Sequence, residues 1–394
     1  MNKCEFDNQL RRECMDLPNL GNHLLNDNIE TTPDYQGLRL ALSTPDLCQP
    51  RKVVLTGCGD SYCAAVAGAR AFTLLGQVFD ARAIPAVEFS RHYPSGEIGT
   101  EPYNPLVYII SKSGSPARCV EVARRVNETN LGGLSVGVTA TPDSPMAKEC
   151  KRILKVDVPE LENPFNEYPP GCRSYYASMY AVFSSAIRMG EVKGQYSMAE
   201  ASNMRKATQR FAEAVNNNFE QIDEQIFEVA KAWKDLDSFE FVSSGADMAT
   251  AWFTAAKVYE ASGDIATYEN VEDFCHICYF ADHPEKVGTV FYVNYKDPSY
   301  PRYKKAIASA VSLGRPTLII TDAPVSDFPE EAVVCSIPSP EYYWQMPIAH
   351  YVPGCLLAGY IARLKGVAFF RTDMRDVFVS ETNKLRTSKI EIVR

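Results

Sequence analysis

The sequence lacks any apolar run near the roughly 20 residues that a membrane-spanning helix needs, so a bilayer-embedded chain is not expected. Its opening, MNKCEFDNQLRRECMD, is polar and holds no hydrophobic stretch of the secretory type, which points to a cytoplasmic protein. A basic excess is missing too: 40 Lys and Arg stand against 49 Asp and Glu, a net charge of −9. General nucleic-acid binding needs a basic face and is therefore not expected. The Walker A, GxGxxG, HExxH and GxSxG patterns are absent, which leaves nucleotide, dinucleotide, zincin and esterase chemistry without a motif. A disulfide framework is also missing. The 12 cysteines are scattered, several in apolar stretches (Cys119, Cys335, Cys355), which is the pattern of reduced buried thiols. Cys275 and Cys278 flank His276 at CxxC spacing, but one such pair without a second is weak ground for zinc or redox chemistry. No metal and no other cofactor is expected.

What is present is a repeated strand–turn–helix theme. A chain of 394 residues, 46% of them hydrophobic, is long enough for more than one core. After a helical leader over 1–35, the β-branched run KVVLT (52–56) is closed by Gly57-Cys58-Gly59 and followed by an Ala-rich helical stretch over 62–75. LVYII (106–110) runs into Ser111-Lys112-Ser113-Gly114 and a helical pattern to residue 126, and further strands are expected at 134–139 and 153–158. Residues 174–233 read as helical, with an interruption near 190–194. The theme then restarts: FEFVS (239–243), Ser244-Gly245-Ala246-Asp247, and a helix to about 260, with strands at 287–294, 317–321 and 333–337 and a last helix at 347–364. Short apolar strands alternating with helices indicate parallel sheets covered on both faces. The expected architecture is α/β: two tandem doubly wound, flavodoxin-like modules at 36–205 and 236–375, bridging helices at 206–235 and a tail at 376–394.

In open parallel sheets, ligands bind beyond the carboxyl ends of the strands. Ser61 sits after the first strand, Ser111, Ser113 and Ser115 after LVYII, and Ser144 after LSVGVTATPD. Helix N-termini offer unpaired N–H groups and partial positive charge, so phosphate fits there, and Lys112 adds a full charge. Each serine alone reads as a helix cap; three hydroxyls in SKSGS plus further serine turns favour anion binding. Aldose–ketose chemistry needs a base beside C1 and C2 and a group that opens the ring. Glu260 and His276 are candidates, although a solvated helix-end carboxylate and a packed surface histidine read equally well from spacing alone.

These segments resemble the sugar isomerase (SIS) domain family, in particular the isomerase half of glucosamine-6-phosphate synthase and the fructoselysine-6-phosphate deglycases. GCGDSY (57–62) is similar to the family's first phosphosugar turn and SKSGSPARCVEVAR (111–124) to its SxSGxTxxT loop. Asp143-Ser144-Pro145-Met146, AAKVYEASG (255–263), VEDFCH (271–276) and MPIAHYVPGCLLAGYIARLKG (346–366) resemble its later segments in order and spacing. The resemblance implies that the serine loops hold a sugar phosphate, that Glu260 moves the proton at C1/C2, and that His276 opens the ring. It also implies a homodimer in which the histidine comes from the neighbouring subunit, and chemistry that needs no metal.

The departures bear on activity. The 394 residues hold no glutamine-hydrolysing domain, so synthesis of glucosamine-6-phosphate from glutamine is not expected of them unaided. Lys112 and Pro116 stand where the synthases carry Gln and Thr, and Cys172-Arg173-Ser174 replaces their Ser-Thr-Lys segment. The tail reads NKLRTSKIEIV. The register of the synthases' Schiff-base lysine falls on Ser388 or Thr387, with Lys384 and Lys389 out of phase. That absence resembles the deglycases. The expected activity is release of an amine from a 6-phosphorylated sugar amine of fructosamine type. A plain aldose–ketose phosphosugar isomerase and a non-catalytic sugar-phosphate sensor are the alternatives.

Overall fold

The computed structural model describes residues 3–28, 38, 41–99, 104–128, 132–374 and 388–393. Five strands form the first sheet: β1 (Lys52–Thr56), β2 (Asp80–Ala83), β3 (Leu106–Ile110), β4 (Leu134–Thr139) and β5 (Arg152–Lys155). Every residue of β3 and β4 is buried, because helices cover both faces of a central parallel strand. The order is β2-β1-β3-β4-β5 with all neighbours parallel, the flavodoxin-like winding expected from the sequence.

The second sheet holds β6 (Ser238–Ser243), β7 (Ile265–Asn270), β8 (Val287–Val293), β9 (Thr317–Thr321) and β10 (Val333–Ser336). Its order, β7-β6-β8-β9-β10, repeats the first strand for strand and is again wholly parallel. The duplication is therefore one of wiring as well as of turn sequence.

Two strands were not expected. β2 reads DARA and no residue of it is fully buried; β7 reads IATYEN, with only Ala266 buried. Both are edge strands, which need no continuous apolar run and carry charges that discourage further pairing. The helical stretch after residue 173 is three helices, Arg173–Val192, Met198–Asn217 and Phe219–Trp233. The second break falls at Asn218, whose side-chain amide bonds back to Ala214 O at 3.0 Å, a local bond that competes with the helix. The last helix runs Val352–Lys365 rather than from 347, because a 3₁₀ segment containing Pro347 precedes it.

Contacts divide the chain into two compact units. One joins Asn19–Pro159 to Ser174–Gln209 and Glu381–Arg394 and contains the first sheet; the other joins Met1–Pro18 to Glu160–Arg173 and Arg210–Ser380 and contains the second. This grouping differs from the linear division read from the sequence. The leader is divided at Pro18, and the tail groups with the first sheet, where Ile390 packs on the core around Val107, Phe89 and Val122. In the other unit the leader is anchored through Asp223, a carboxylate with no exposed side-chain surface. It accepts from Arg11 Nη2 at 2.8 Å and Tyr360 Oη at 2.6 Å and pairs with Lys3 Nζ at 2.7 Å. Burial alone would raise its pKa, but the bonds from Arg11, Lys3 and Tyr360 hold it below the usual carboxylate value.

The cores are aliphatic and aromatic: Val54, Ile109 and Met146 on the first sheet, Val242, Phe291 and Ile319 on the second. Each such side chain contributes about 1.5–3 kcal/mol by leaving water. Thr56 pairs with Ile109 and Ile110 with Val138, so the turns after β1, β3 and β4 open at one edge of the first sheet. Among the described residues, no helix is long and apolar enough to cross a membrane.

Candidate functional site

The strand order of the first sheet reverses between β1 and β3, the place where open α/β sheets bind ligands. The turn after β1 leads into the helix Asp60–Leu75, whose N-cap is Gly59. A glycine offers no side chain to the first N–H groups, which suits a helix start that receives an anion. Ser61 lies in that first turn, half-buried.

The turn after β3 is stitched from within. Ser111 Oγ accepts from Gly114 N at 3.1 Å, Ser113 Oγ from Ser115 N at 3.4 Å, and Ser115 Oγ donates to Ser113 O at 3.2 Å. Ser144 Oγ accepts from Ala147 N at 3.3 Å and so caps the helix Pro145–Glu149. Gly114 sits at φ +58°, and a Cβ there would stand 1.9 Å from Ser144 Oγ, so only glycine lets the two turns close on each other. The carbonyl of Lys112 accepts from Ala140 N, Thr139 Oγ1 and Thr141 Oγ1 at 3.1, 3.0 and 3.3 Å, while its side chain is exposed.

The structure thus brings Ser111, Lys112, Ser113, Ser115 and Ser144 together, with Ser61 in the turn beside them. Capping and anion binding are compatible here. The hydroxyls of Ser111, Ser113 and Ser144 use a lone pair to accept and keep an O–H to donate. Several donors and one ammonium on a pinned backbone suit a ligand with several acceptor oxygens. The pinning hydroxyls of Thr139 and Thr141 were not singled out from the sequence; the signal was the TAT run (139–141) at the end of β4.

Glu260 and His276 belong to the other unit. Glu260 lies in the last turn of the helix Met248–Ala261, and its carboxylate pairs with Lys257 Nζ one turn earlier. The Lys257 side chain is 1% exposed and its ammonium also lies 4.6 Å from the centre of the Phe253 ring. A buried ammonium needs such partners, so it fixes the half-buried Glu260 in place. Arg371 bonds to the carbonyls of Ala261 and Ser262 and closes the helix end that carries Glu260. Lys257 was missed in the sequence, although an i, i+3 Lys–Glu pair on a helix is a legible signal.

His276 ends the helix Val271–His276, which Asn270 caps by accepting from Glu272 N and Asp273 N at 3.0 and 2.9 Å. Its side chain is 67% exposed, with Nε2 3.0 Å from Glu272 Oε1. Glu272 is paired in turn with Arg302, which with His276 holds its carboxyl below the ordinary range. Burial pushes the thiols of Cys275 and Cys278 up, the state of unreactive cysteines. Among the described residues, no group of three or more His, Cys, Asp or Glu side chains is disposed to hold a metal ion.

Residues 46–183 match the family model of the SIS domain. Over that stretch the chain is similar to a SIS domain. No curated protein sequence matches it. Its fold is similar to the C-terminal domain of glucosamine-fructose-6-phosphate aminotransferase from Francisella tularensis, at 15% identity and TM-score 0.77 over 93% of this chain and 99% of that one. It is similar to glucosamine-6-phosphate deaminase from Thermotoga maritima, at 17% identity and TM-score 0.62 over 91% and 95%. It is also similar to tagatose-6-phosphate ketose/aldose isomerase from Escherichia coli, at 13% identity and TM-score 0.70 over 91% and 94%. At these identities the likeness is one of fold: two tandem α/β modules with parallel sheets.

The end of the tail borders the helix that follows the candidate turn. Arg118, in the first turn of the helix Ala117–Glu128, donates to Ser388 Oγ at 3.2 Å and Lys389 O at 2.6 Å. Glu391 N donates to Glu121 Oε1 at 2.7 Å, and the Glu391 carboxylate pairs with Arg91 at 3.1 Å. Lys389 Nζ is engaged with Glu391 Oε1 at 3.0 Å. Thr387 and Lys384 lie outside the described residues.

Proposed function

We propose that the chain is a phosphosugar enzyme whose first module binds the sugar phosphate at Ser61, Ser111, Lys112, Ser113, Ser115 and Ser144. The observation that carries this reading is the pinned turn 111–115, which sets hydroxyl donors and an exposed ammonium at the β1/β3 reversal. Within that class we favour amine release from a 6-phosphorylated sugar amine. His276 opens the ring, and Glu260 moves a proton between C1 and C2 of the open chain. Water then adds at the carbon bearing nitrogen, and the amine leaves. Support comes from Ser388 or Thr387 at the tail position where a Schiff-base lysine would stand, and from the fold shared with a solved glucosamine-6-phosphate deaminase. A homodimer fits an exposed His276 followed by the exposed Ile277, Tyr279 and Phe280.

The test is incubation with fructoselysine-6-phosphate and with glucosamine-6-phosphate, assaying free amine. Amine release that survives undiminished in Glu260→Gln would remove Glu260 from the mechanism. Plain aldose–ketose isomerisation is the second reading, favoured by the fold shared with the tagatose-6-phosphate isomerase. Turnover of a hexose phosphate, with no amine released from either substrate, would select it.

A further inference from the structure

Two sulfur atoms meet beside the candidate anion turn. Cys58, between Gly57 and Gly59 after β1, is exposed; Cys119, the third residue of the helix Ala117–Glu128, is fully buried. Their Sγ atoms lie 4.0 Å apart. The contact with Cys119 draws the Cys58 thiol below its ordinary pKa against partial desolvation, and the nearby Arg118 charge adds to this. The same contact and its own burial push the Cys119 thiol up. An exposed cysteine in sulfur contact with a buried one is the arrangement of an attacking and a resolving cysteine.

We propose that Cys58 and Cys119 form a reversible oxidation site that couples peroxide to ligand binding at the 111–115 turn. The Cys58 thiolate attacks hydrogen peroxide, taking one oxygen and releasing hydroxide, and becomes a sulfenic acid. The Cys119 sulfur then attacks the Cys58 sulfur; an S–S bond forms, the S–O bond breaks, and the Cys119 proton leaves with the oxygen as water. A thiol reductant reverses the change by exchange. Since a disulfide spans about 2.05 Å, the turn 57–61 is drawn toward the helix that follows Pro116. Ser61 thereby shifts against Ser113 and Ser115. The effect on binding rests on the proposed phosphate site; the oxidation itself does not.

Native full-length protein is treated with hydrogen peroxide, blocked with iodoacetamide, digested and mapped. The expected product is a peptide pair linked through Cys58 and Cys119, lighter by two hydrogens and released by dithiothreitol. Cys14 and Cys172, closer still at 3.8 Å but both buried, stay reduced and alkylate only after unfolding. In Cys119→Ala, dimedone traps a sulfenic acid on Cys58. The site is disproved if no linked pair forms and Cys58 oxidises no faster than the exposed Cys4 and Cys48. Calorimetry with glucosamine-6-phosphate then compares reduced, oxidised and re-reduced protein. The expected result is affinity lowered about tenfold on oxidation and restored on reduction. Unchanged affinity in the linked protein overturns the coupling. Reduced protein that binds no phosphosugar counts against the proposed function, while the linked peptide still decides the oxidation site.

Discussion

The two sheets share one wiring but treat their strand ends in opposite ways. Thr139 Oγ1 accepts from Thr141 N at 3.1 Å after β4, and Thr321 Oγ1 accepts from Ala323 N at 3.0 Å after β9. Val156 N then bonds to Thr139 O at 2.9 Å, and Ile337 N to Thr321 O at 2.8 Å. Within that common frame the turn after β3 carries Ser111, Lys112, Ser113 and Gly114, whereas the turn after β8 carries Asn294, Tyr295, Lys296 and Asp297. The buried Asp297 carboxylate accepts from Tyr343 Oη at 2.8 Å and Ser299 N at 2.7 Å, and both Tyr343 and Asp297 crowd Gly245 in the turn after β6. Beside them the fully buried His350 pairs with Asp247 at 3.0 Å. The first module sets serine hydroxyls and an exposed lysine at its strand ends, the proposed anion site; the second has filled its strand ends with carboxylates and donors of its own. The duplicated fold thus carries hydroxyls and glycine in the turn after β3 of one module, and a closed carboxylate–tyrosine contact after β8 of the other.

Four outcomes would break or sharpen this contrast. The largest concerns Glu260, the proposed base, which the second module carries away from its filled strand ends. Glu260→Gln is expected to slow turnover on the order of 10²–10⁴-fold, the range for losing a general base. Steady-state kinetics should show this with phosphosugar affinity retained, and a change in affinity alone would recast Glu260 as a binding residue.

Next comes Asp247→Asn, which takes from the buried His350 its carboxylate partner. Breaking a buried pair costs about 3–5 kcal/mol, so urea unfolding should show a loss of that order. A stable variant that loses phosphosugar binding would mean the second module's strand ends are not merely structural.

Ser113→Ala makes the reverse claim for the first module. A hydrogen bond to a charged group is worth about 1.5–3 kcal/mol, so phosphosugar affinity should fall about tenfold or more with little change in stability. Calorimetry and urea unfolding read the two effects separately.

The smallest effect is one of pH. Burial would lower the His350 pKa, but Asp247 and the Ile320 carbonyl outweigh it and hold the value raised. The stabilisation is therefore fully present below the unfolded value of about 6.5 and is lost as pH rises through the folded one. Asp223 behaves oppositely, because its folded pKa is depressed. Its contribution is present above about pH 4 and is lost as pH falls further. Thermal unfolding across pH 3–9, repeated in His350→Gln and Asp223→Asn, separates the alkaline from the acid limb.

Much of this was legible in the sequence where one residue type does one job. The central strands were found because a strand buried on both faces must be apolar throughout, as LVYII is. The serine turn was found because hydroxyls and glycine cluster where a helix starts. β2 and β7 escaped because an edge strand such as DARA carries no such signal. Asp297 was passed over because a lone aspartate in a turn reads as a turn former until Tyr343, 46 residues on, is seen to donate to it.

The sequence by itself determined the winding of both modules, the hydroxyl turn, and the interval of 16 residues between Glu260 and His276, since periodicity and spacing are local properties of a chain. Tertiary structure alone decided which side chains meet. It set Cys58 against Cys119 across 61 positions, tied Arg11 to Asp223 across 212, and laid Ser388 on Arg118 across 270. Such pairs carry no periodic signature, because their partners are chosen by the packing of sheets and helices and not by distance along the chain.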